Sequence, residues 1–153
     1  MDNSKFVVKI MPSIHHLGFL VRDLDQAIDR YSRLLGEPPV AVEALQSRGV
    51  ATARFALGPI WLVLIEPKDA TGIPGQHLSQ HGEGFFMLSL NSDKLETTAD
   101  ELSSRELSLD WSTLRDGLDN WRVADLNNWQ PFGAVIQFAQ ETAHDEKNPR
   151  QTL

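Results

Sequence analysis

The sequence lacks cysteine, an excess of basic residues and long apolar runs. The absence of cysteine excludes disulfides, thiolate catalysis, zinc fingers and iron–sulfur clusters. Lys and Arg number 14 against 21 Asp and Glu, and this net charge of −7 disfavours nucleic acid and anionic membrane surfaces as partners. No apolar run approaches the ~20 residues of a membrane span, and residues 1–11 lack the apolar core of a secretory signal. We therefore expect a cytoplasmic protein.

Phosphate-binding glycine motifs and a nucleophile elbow are also missing. The 153 residues, of which 41% are apolar, are enough for one domain with its own core. The acidic balance mildly favours a neutral or cationic small molecule as ligand.

The first half of the chain has the pattern of a strand, a helix and three further strands. Asp23 is expected to cap the helix, with Gln26 at the capping-box position and Gly36 at its end. Apolar residues of the helix recur on one face at a 3.6-residue period. The predicted strands are Ile14–Val21, Val40–Leu45, Val50–Leu57 and Ile60–Ile65.

The second half repeats this pattern after a stretch rich in glycine and proline. Within that stretch, His77 and His81 are four residues apart, in a segment that could form a helical turn, and are interpreted as surface residues. Asp93 is expected to cap a second helix, with Glu96 at capping-box spacing. The predicted strands are Gly84–Leu90, Leu107–Leu109, Trp121–Leu126 and Ala134–Ala139.

The two halves form an internal repeat with a spacing of roughly 70 residues. His16 aligns with Phe86, and Asp23 aligns with Asp93. Each half alone is too small to bury its sheet well, so the two should pack together. The expected organisation is an N-terminal extension (1–12), a first module (13–66), a linker (67–83), a second module (84–140) and a polar tail (141–153).

Four segments carry a family resemblance: IHHLGFLVRDLDQAIDRYSRLLG (14–36), WLVLIEP (61–67), HGEGFFMLSL (81–90) and FGAVIQFA (132–139). Together they resemble the vicinal oxygen chelate superfamily, which includes glyoxalase I, methylmalonyl-CoA epimerase, extradiol dioxygenases and the bleomycin-resistance proteins. The resemblance is nearest to the glyoxalase I and epimerase branch. It implies an α+β fold in which two βαβββ modules form a curved mixed sheet, a cup that holds the ligand, and a homodimer.

Metal-dependent members of this superfamily bind a divalent ion through four side chains in the cup. The resemblance places these positions at His16, Val63, Phe86 and Gln137. Valine and phenylalanine offer no donor atom, and one imidazole with one amide is a poor ligand set for a first-row divalent ion. We therefore expect a degenerate metal site and no cofactor.

Loss of two donors should turn the cup into an apolar, partly aromatic pocket. His16 is the candidate base, because imidazole exchanges protons near neutral pH, and Gln137 is the candidate to orient a ligand carbonyl. His15 is expected to face the helix side. The full set of expected pocket residues is His16, Arg54, Trp61, Val63, Phe86, Leu88, Trp121, Arg122, Val135 and Gln137. The same side chains could instead fill a collapsed core, although an inward arginine would suit a carboxylate or phosphate.

Two classes of ligand-dependent function follow, and a third possibility involves no ligand. The leading hypothesis is a metal-independent protein that binds a small organic molecule, as antibiotic-sequestering relatives do. The alternative is an enzyme of the glyoxalase or epimerase type, a lyase or isomerase, or else a dioxygenase. In the lyase or isomerase, an enolate would be stabilised by His16 or by zinc, nickel, cobalt, manganese or iron. The third is an accessory domain without a ligand.

Overall fold

The computed structural model describes residues 12–142. Most of the expected N-terminal extension and polar tail lies outside this range, although Glu141 belongs to the last strand. The strands are β1 (Ile14–Leu20), β2 (Ala41–Leu45), β3 (Val50–Leu57), β4 (Ile60–Pro67), β5 (Gly84–Asn91), β6 (Leu109–Asp116), β7 (Trp121–Leu126) and β8 (Val135–Glu141). The α-helices are α1 (Leu24–Leu35), α2 (Ile73–His81) and α3 (Leu95–Ser103).

The eight strands form one mixed sheet in the order β2-β3-β4-β1-β5-β8-β7-β6. Within each half, the first strand runs parallel to the fourth, so that β1 pairs with β4 and β5 pairs with β8. The halves join where β1 and β5 pair antiparallel. The α+β fold with a mixed sheet that the sequence predicted is confirmed.

Helix α1 begins and ends where the sequence predicts. The Asp23 Oδ1 atom accepts a hydrogen bond from the backbone N–H of Gln26 at 3.0 Å, and Gly36 ends the helix with a left-handed φ of 76°. Glycine adopts this conformation without the steric cost that a Cβ brings. Leu24 and Ala27 of the helix are buried against β3 and β4 on the outer face of the sheet.

Helix α3 begins differently from the prediction. Lys94 is the N-cap residue and supplies no side-chain cap, whereas the backbone N–H of Leu95 donates to Oε1 of Gln140 at 2.9 Å. The assignments of Asp93 as the cap and of Glu96 as its capping-box partner are therefore wrong. A residue 45 positions away provides the acceptor, and local spacing cannot reveal it.

Two segments after the first module also depart from the sequence pattern. The glycine- and proline-rich stretch contains the nine-residue helix α2, in which Pro74 sits in the first turn, where its missing N–H costs nothing. Strand β6 covers Leu109–Asp116, further along the chain than the predicted Leu107–Leu109. Its turn into β7 holds Asp119 and Asn120 at left-handed φ values of 49° and 60°.

The sheet curls strongly, and its concave inner face is called the cup below. Strands β3 and β7 are five positions apart in the sheet order, which would separate them by about 24 Å in a flat sheet. The guanidinium carbon of Arg54 on β3 nevertheless lies 5.8 Å from the ring centre of Trp121 on β7. A single buried apolar cluster spans the cup, and its members are Leu20, Val50, Trp61, Val63, Ile65, Phe86, Leu118, Trp121, Val123, Val135 and Ala139.

Across residues 12–142, no helix combines the length and apolar character that crossing a membrane requires.

Candidate functional site

His15 and His16 both lie in the cup because a β-bulge interrupts strand β1. The pairing of β1 with β5 shifts by one residue at His15 and resumes where His16 faces Ser89. His16 stacks on the Trp121 ring with centres 4.9 Å apart, and His15 meets the same ring edge-on at 4.4 Å. The expectation that His15 faces the helix side is therefore wrong, since strict alternation fails at a bulge.

The two histidines form a hydrogen-bonded chain with Glu141. His15 Nε2 lies 2.8 Å from Glu141 Oε1, and the Nδ1 atoms of His15 and His16 lie 2.8 Å apart. An ionised carboxylate only accepts hydrogen bonds, so His15 donates from Nε2. A neutral His15 must then accept at Nδ1 from His16, which leaves the lone pair of His16 on its Nε2 atom. The chain therefore fixes the tautomer and the orientation of the His16 ring.

A second bulge lies in strand β5 at Phe86. Phe86 and the following Met87 both pack into the cup cluster. Leu88 then pairs with Leu17 and Ile136, which pack against the clusters on the outer face. The expectation that Leu88 belongs to the pocket is wrong, because one extra residue exchanges the two faces of the strand.

A row of polar side chains crosses the cup level with His16. Ser89 is fully buried and donates to Gln137 Oε1 at 3.0 Å, and Gln137 Nε2 lies 3.5 Å from Asp125 Oδ1. Asp125 also accepts from Arg115 at 3.2 Å. Sequence reasoning missed Ser89, Asp125 and Arg115. Alternation along β7 could have revealed Asp125, whereas the bulge hides Ser89.

Arg54 is the buried cation of the cup. Its guanidinium carbon lies 5.2 Å from the ring centre of Trp61 and 5.8 Å from that of Trp121. Its Nη1 atom lies 3.5 Å from Glu43 Oε1, and its Nη2 atom lies 3.9 Å from Asp119 Oδ2. Because Asp119 comes from the hairpin between β6 and β7, this group joins the two halves of the molecule.

Arg122 lies on the outer face, and its expected place in the pocket is wrong. It donates to Glu96 of helix α3 at 2.6 Å, and this hydrogen bond lowers the pKa of the Glu96 carboxyl. Neighbouring residues of a strand point to opposite faces. Since Trp121 faces the cup, Arg122 must face the helix.

Residues 15–124 match the family model of the glyoxalase/bleomycin resistance protein/dioxygenase superfamily. The chain belongs to this superfamily.

Two solved structures share this architecture over most of their length, and one further protein matches by sequence. A methylmalonyl-CoA epimerase from Mycobacterium tuberculosis is 26% identical, with a TM-score of 0.78 over 85% of this chain and 88% of that chain. A hypothetical protein from Bacillus halodurans is 20% identical, with a TM-score of 0.79 over 89% and 99% of the two chains. The uncharacterized protein YqjC of Bacillus subtilis (strain 168) is 23% identical over 141 residues, 92% of this chain and 100% of YqjC.

The side chains at the four positions that the resemblance assigns to the metal do not fit a divalent ion. All four positions lie on the cup face, but Val63 and Phe86 are buried carbon side chains and Gln137 is engaged with Ser89. In the part of the chain that the structure describes, no three His, Asp or Glu side chains are grouped closely enough to hold a metal. His16 alone keeps a strong donor atom at these positions.

His77 of helix α2 is half-buried, whereas His81 is exposed, as the sequence suggested. The His77 ring packs edge-on against Phe86 with centres 5.0 Å apart, and the His81 ring lies 4.6 Å from that of His77. Burial lowers the pKa of His77, and the neighbouring His81 lowers it further. Helix α2 therefore extends the aromatic surroundings of Phe86.

Proposed function

We propose that this superfamily member binds a small organic molecule in the cup without a metal ion. The observation that carries the proposal is the replacement of two metal-ligand positions by the buried side chains of Val63 and Phe86. A carbon side chain cannot be converted into a ligand by a change of proton or tautomer. Binding must then rest on the aromatic and polar groups of the cup.

The aromatic groups of the cup suit a flat ligand. The rings of Trp61 and Trp121 lie 6.1 Å apart and are tilted by 47°, and His16 stacks on the second of them. Both tryptophan rings are buried, at 0% and 2% exposure, so a flat ligand would stack on them by replacing part of this packing. The polar row from Ser89 to Asp125 offers hydrogen bonds at one side.

Metal analysis together with thermal unfolding tests this proposal. Protein purified without chelator should carry substoichiometric zinc, nickel, cobalt, manganese and iron, and its melting temperature should not change with EDTA. A library of small aromatic acids, amides and amines should contain compounds that raise the melting temperature, since ligands of the native state stabilise it. One tightly bound metal per chain that is lost in His16→Ala would overturn the proposal.

A second candidate is an isomerase or lyase that moves a proton with His16. The hydrogen-bonded chain from Glu141 through His15 to His16 favours it, because the chain orients the imidazole and a carboxylate stabilises the added positive charge. The similarity to methylmalonyl-CoA epimerases supports the same chemistry. With no metal to stabilise an enolate, the neighbouring polar groups would have to do so.

Exchange of substrate hydrogen with deuterated water tests the enzyme candidate. Methylmalonyl-CoA and a 2-ketoaldehyde–glutathione adduct are the two substrates to examine. Turnover should vanish in His16→Asn and fall strongly in Glu141→Gln, whereas Arg122→Gln on the outer face should keep it. If neither substrate exchanges hydrogen above the uncatalysed rate, acid–base catalysis of this kind is rejected.

We also propose that the chain forms a homodimer. The sheet ends at β2 and β6, and an exposed edge strand offers unpaired backbone groups to a second copy. Val42 on β2 is 56% exposed and adds an apolar contact. Sedimentation analysis of the wild type and of Val42→Lys tests this. A monomer at all concentrations would overturn the proposal.

A further inference from the structure

The guanidinium of Arg54 has a hydrogen-bond donor left over. Its side chain is 9% exposed, and its Nε atom is buried without a hydrogen-bond partner among residues 12–142. Its two carboxylate neighbours stand 3.5 Å (Glu43) and 3.9 Å (Asp119) from the Nη atoms, longer than the roughly 2.7–2.9 Å of a good charge-assisted hydrogen bond. A buried N–H group without a hydrogen bond lowers stability. An additional acceptor at Nε would therefore be favourable.

The surroundings of Arg54 restrict that acceptor to a particular chemistry. The guanidinium carbon lies 5.2 Å from the ring centre of Trp61 and 5.8 Å from that of Trp121, so a group attached to the acceptor meets flat apolar surfaces beside the cation. Glu43 and Asp119 already place two negative charges beside the cation. A phosphate dianion would meet more repulsion there than a carboxylate of single charge.

We propose that Arg54 anchors the carboxylate of a small organic acid with a flat apolar body. This inference rests on the proposed binding function and names its ligand class. The carboxylate would accept from Nε–H and one Nη–H, the paired geometry for which a guanidinium is suited. The body of the acid then contacts Trp61 and Trp121. This ligand class differs from the neutral or cationic ligand that the net charge of −7 mildly favours.

Asp119 acts as a competitor for the same cation. Its side chain is 38% exposed, it lies in the hairpin between β6 and β7, and its carboxylate is the more distant of the two partners of Arg54. An incoming carboxylate therefore displaces Asp119 and replaces it as a negatively charged partner of Arg54. Removing the charge of Asp119 should tighten the binding of an acid, whereas loss of a purely structural ion pair would not.

Calorimetric titration with three matched probes tests the inference. The probes are 2-naphthoate, its carboxamide and 2-naphthylmethylammonium, which share the ring system and differ in charge. We expect wild-type protein to bind the acid most tightly. Affinity for the acid should fall on the order of tenfold or more in Arg54→Gln and rise in Asp119→Asn. The matched control Arg122→Gln, on the outer face of the same sheet, should leave it unchanged.

The absence of any binding would overturn the inference, as would three patterns of binding. These are amide or ammonium binding at least as tight as that of the acid, unchanged acid binding in Arg54→Gln, and weaker acid binding in Asp119→Asn. If Arg54→Gln does not fold by circular dichroism, the Asp119→Asn comparison decides. Tight binding of the amide or ammonium would refute the carboxylate anchor but leave the proposed function intact. Absence of binding by all three probes would also refute the anchor, and the metal analysis above would still judge the proposed function separately.

Discussion

The Nδ1 atoms of His15 and His16 lie 2.8 Å apart, so one hydrogen must lie between them. His15 is fully buried, and its other ring nitrogen faces the Glu141 carboxylate at 2.8 Å. This arrangement ties the tautomer of each ring to that of its neighbour. A bulge in the central strand β1 is what brings the two rings together.

The first prediction concerns this tautomer pair. At pH values where both rings are neutral, nitrogen-resolved NMR should show the hydrogen on Nε2 of His15 and on Nδ1 of His16. His15→Phe keeps a ring in place but removes the acceptor of His16, so stability should fall by about 1–3 kcal/mol. The opposite tautomers in the wild type would contradict the prediction.

The second prediction concerns the tryptophan at the centre of the cup. Trp121 is 2% exposed and contacts both histidines and Trp61. Trp121→Ala should lower the free energy of unfolding by about 3–5 kcal/mol. The matched control Trp111→Ala, at a residue that is 43% exposed on β6, should change it by only about 0.5 kcal/mol. Equal losses in chemical denaturation would show that Trp121 is not a core residue.

The third prediction concerns pH. Burial and the neighbouring His81 lower the pKa of His77 in the folded chain. His77 of the unfolded chain binds a proton at about pH 6.5, whereas His77 of the folded chain binds it only at lower pH. The free energy of unfolding should therefore fall as the pH drops from 7 through this range. His77→Gln should flatten this part of the profile, and His81→Gln should raise the pKa of His77 in an NMR titration. An unchanged His77 titration in His81→Gln would contradict the coupling.

The fourth prediction restores donor atoms to the cup. Val63→Gln combined with Phe86→His would place four nitrogen or oxygen donors at the superfamily's metal positions. We expect this double variant to bind Co²⁺, visible by its absorption spectrum, and the wild type not to bind it. Each single variant should bind more weakly than the double one. Equal cobalt binding by the wild type would mean that the cup uses other ligands.

Local signals in the sequence were sufficient for much of the fold. Helix α1 has both its cap and its end within its own segment, at Asp23 and Gly36, and runs of apolar residues located most of the strands. The start of helix α3 could not be predicted, because its first N–H donates to Gln140, which is distant in sequence. Interactions between remote segments leave no trace in local spacing.

The candidate site was predictable only where the strands alternate regularly. Trp61 and Val63 on β4 lie in the cup, as alternation requires. His15 and Leu88 were assigned to the wrong faces because each lies at or just after a bulge, and a bulge is fixed by pairing with another strand. Arg122 could have been excluded beside Trp121, since neighbours on one strand cannot both point inward.

The bulges in β1 and β5 have an evolutionary consequence. In a regular strand, insertion of one codon reverses the direction of every later side chain, and most such insertions ruin the core. Here each bulge lies where β1 and β5 pair, and its extra residue reverses the side-chain direction at that point of the strand. The buried cup cluster, formed by both halves, accommodates the redirected side chains. One inserted codon can thus bring a histidine from the helix side into the cup without any substitution, a route by which a member without metal ligands can acquire new chemistry.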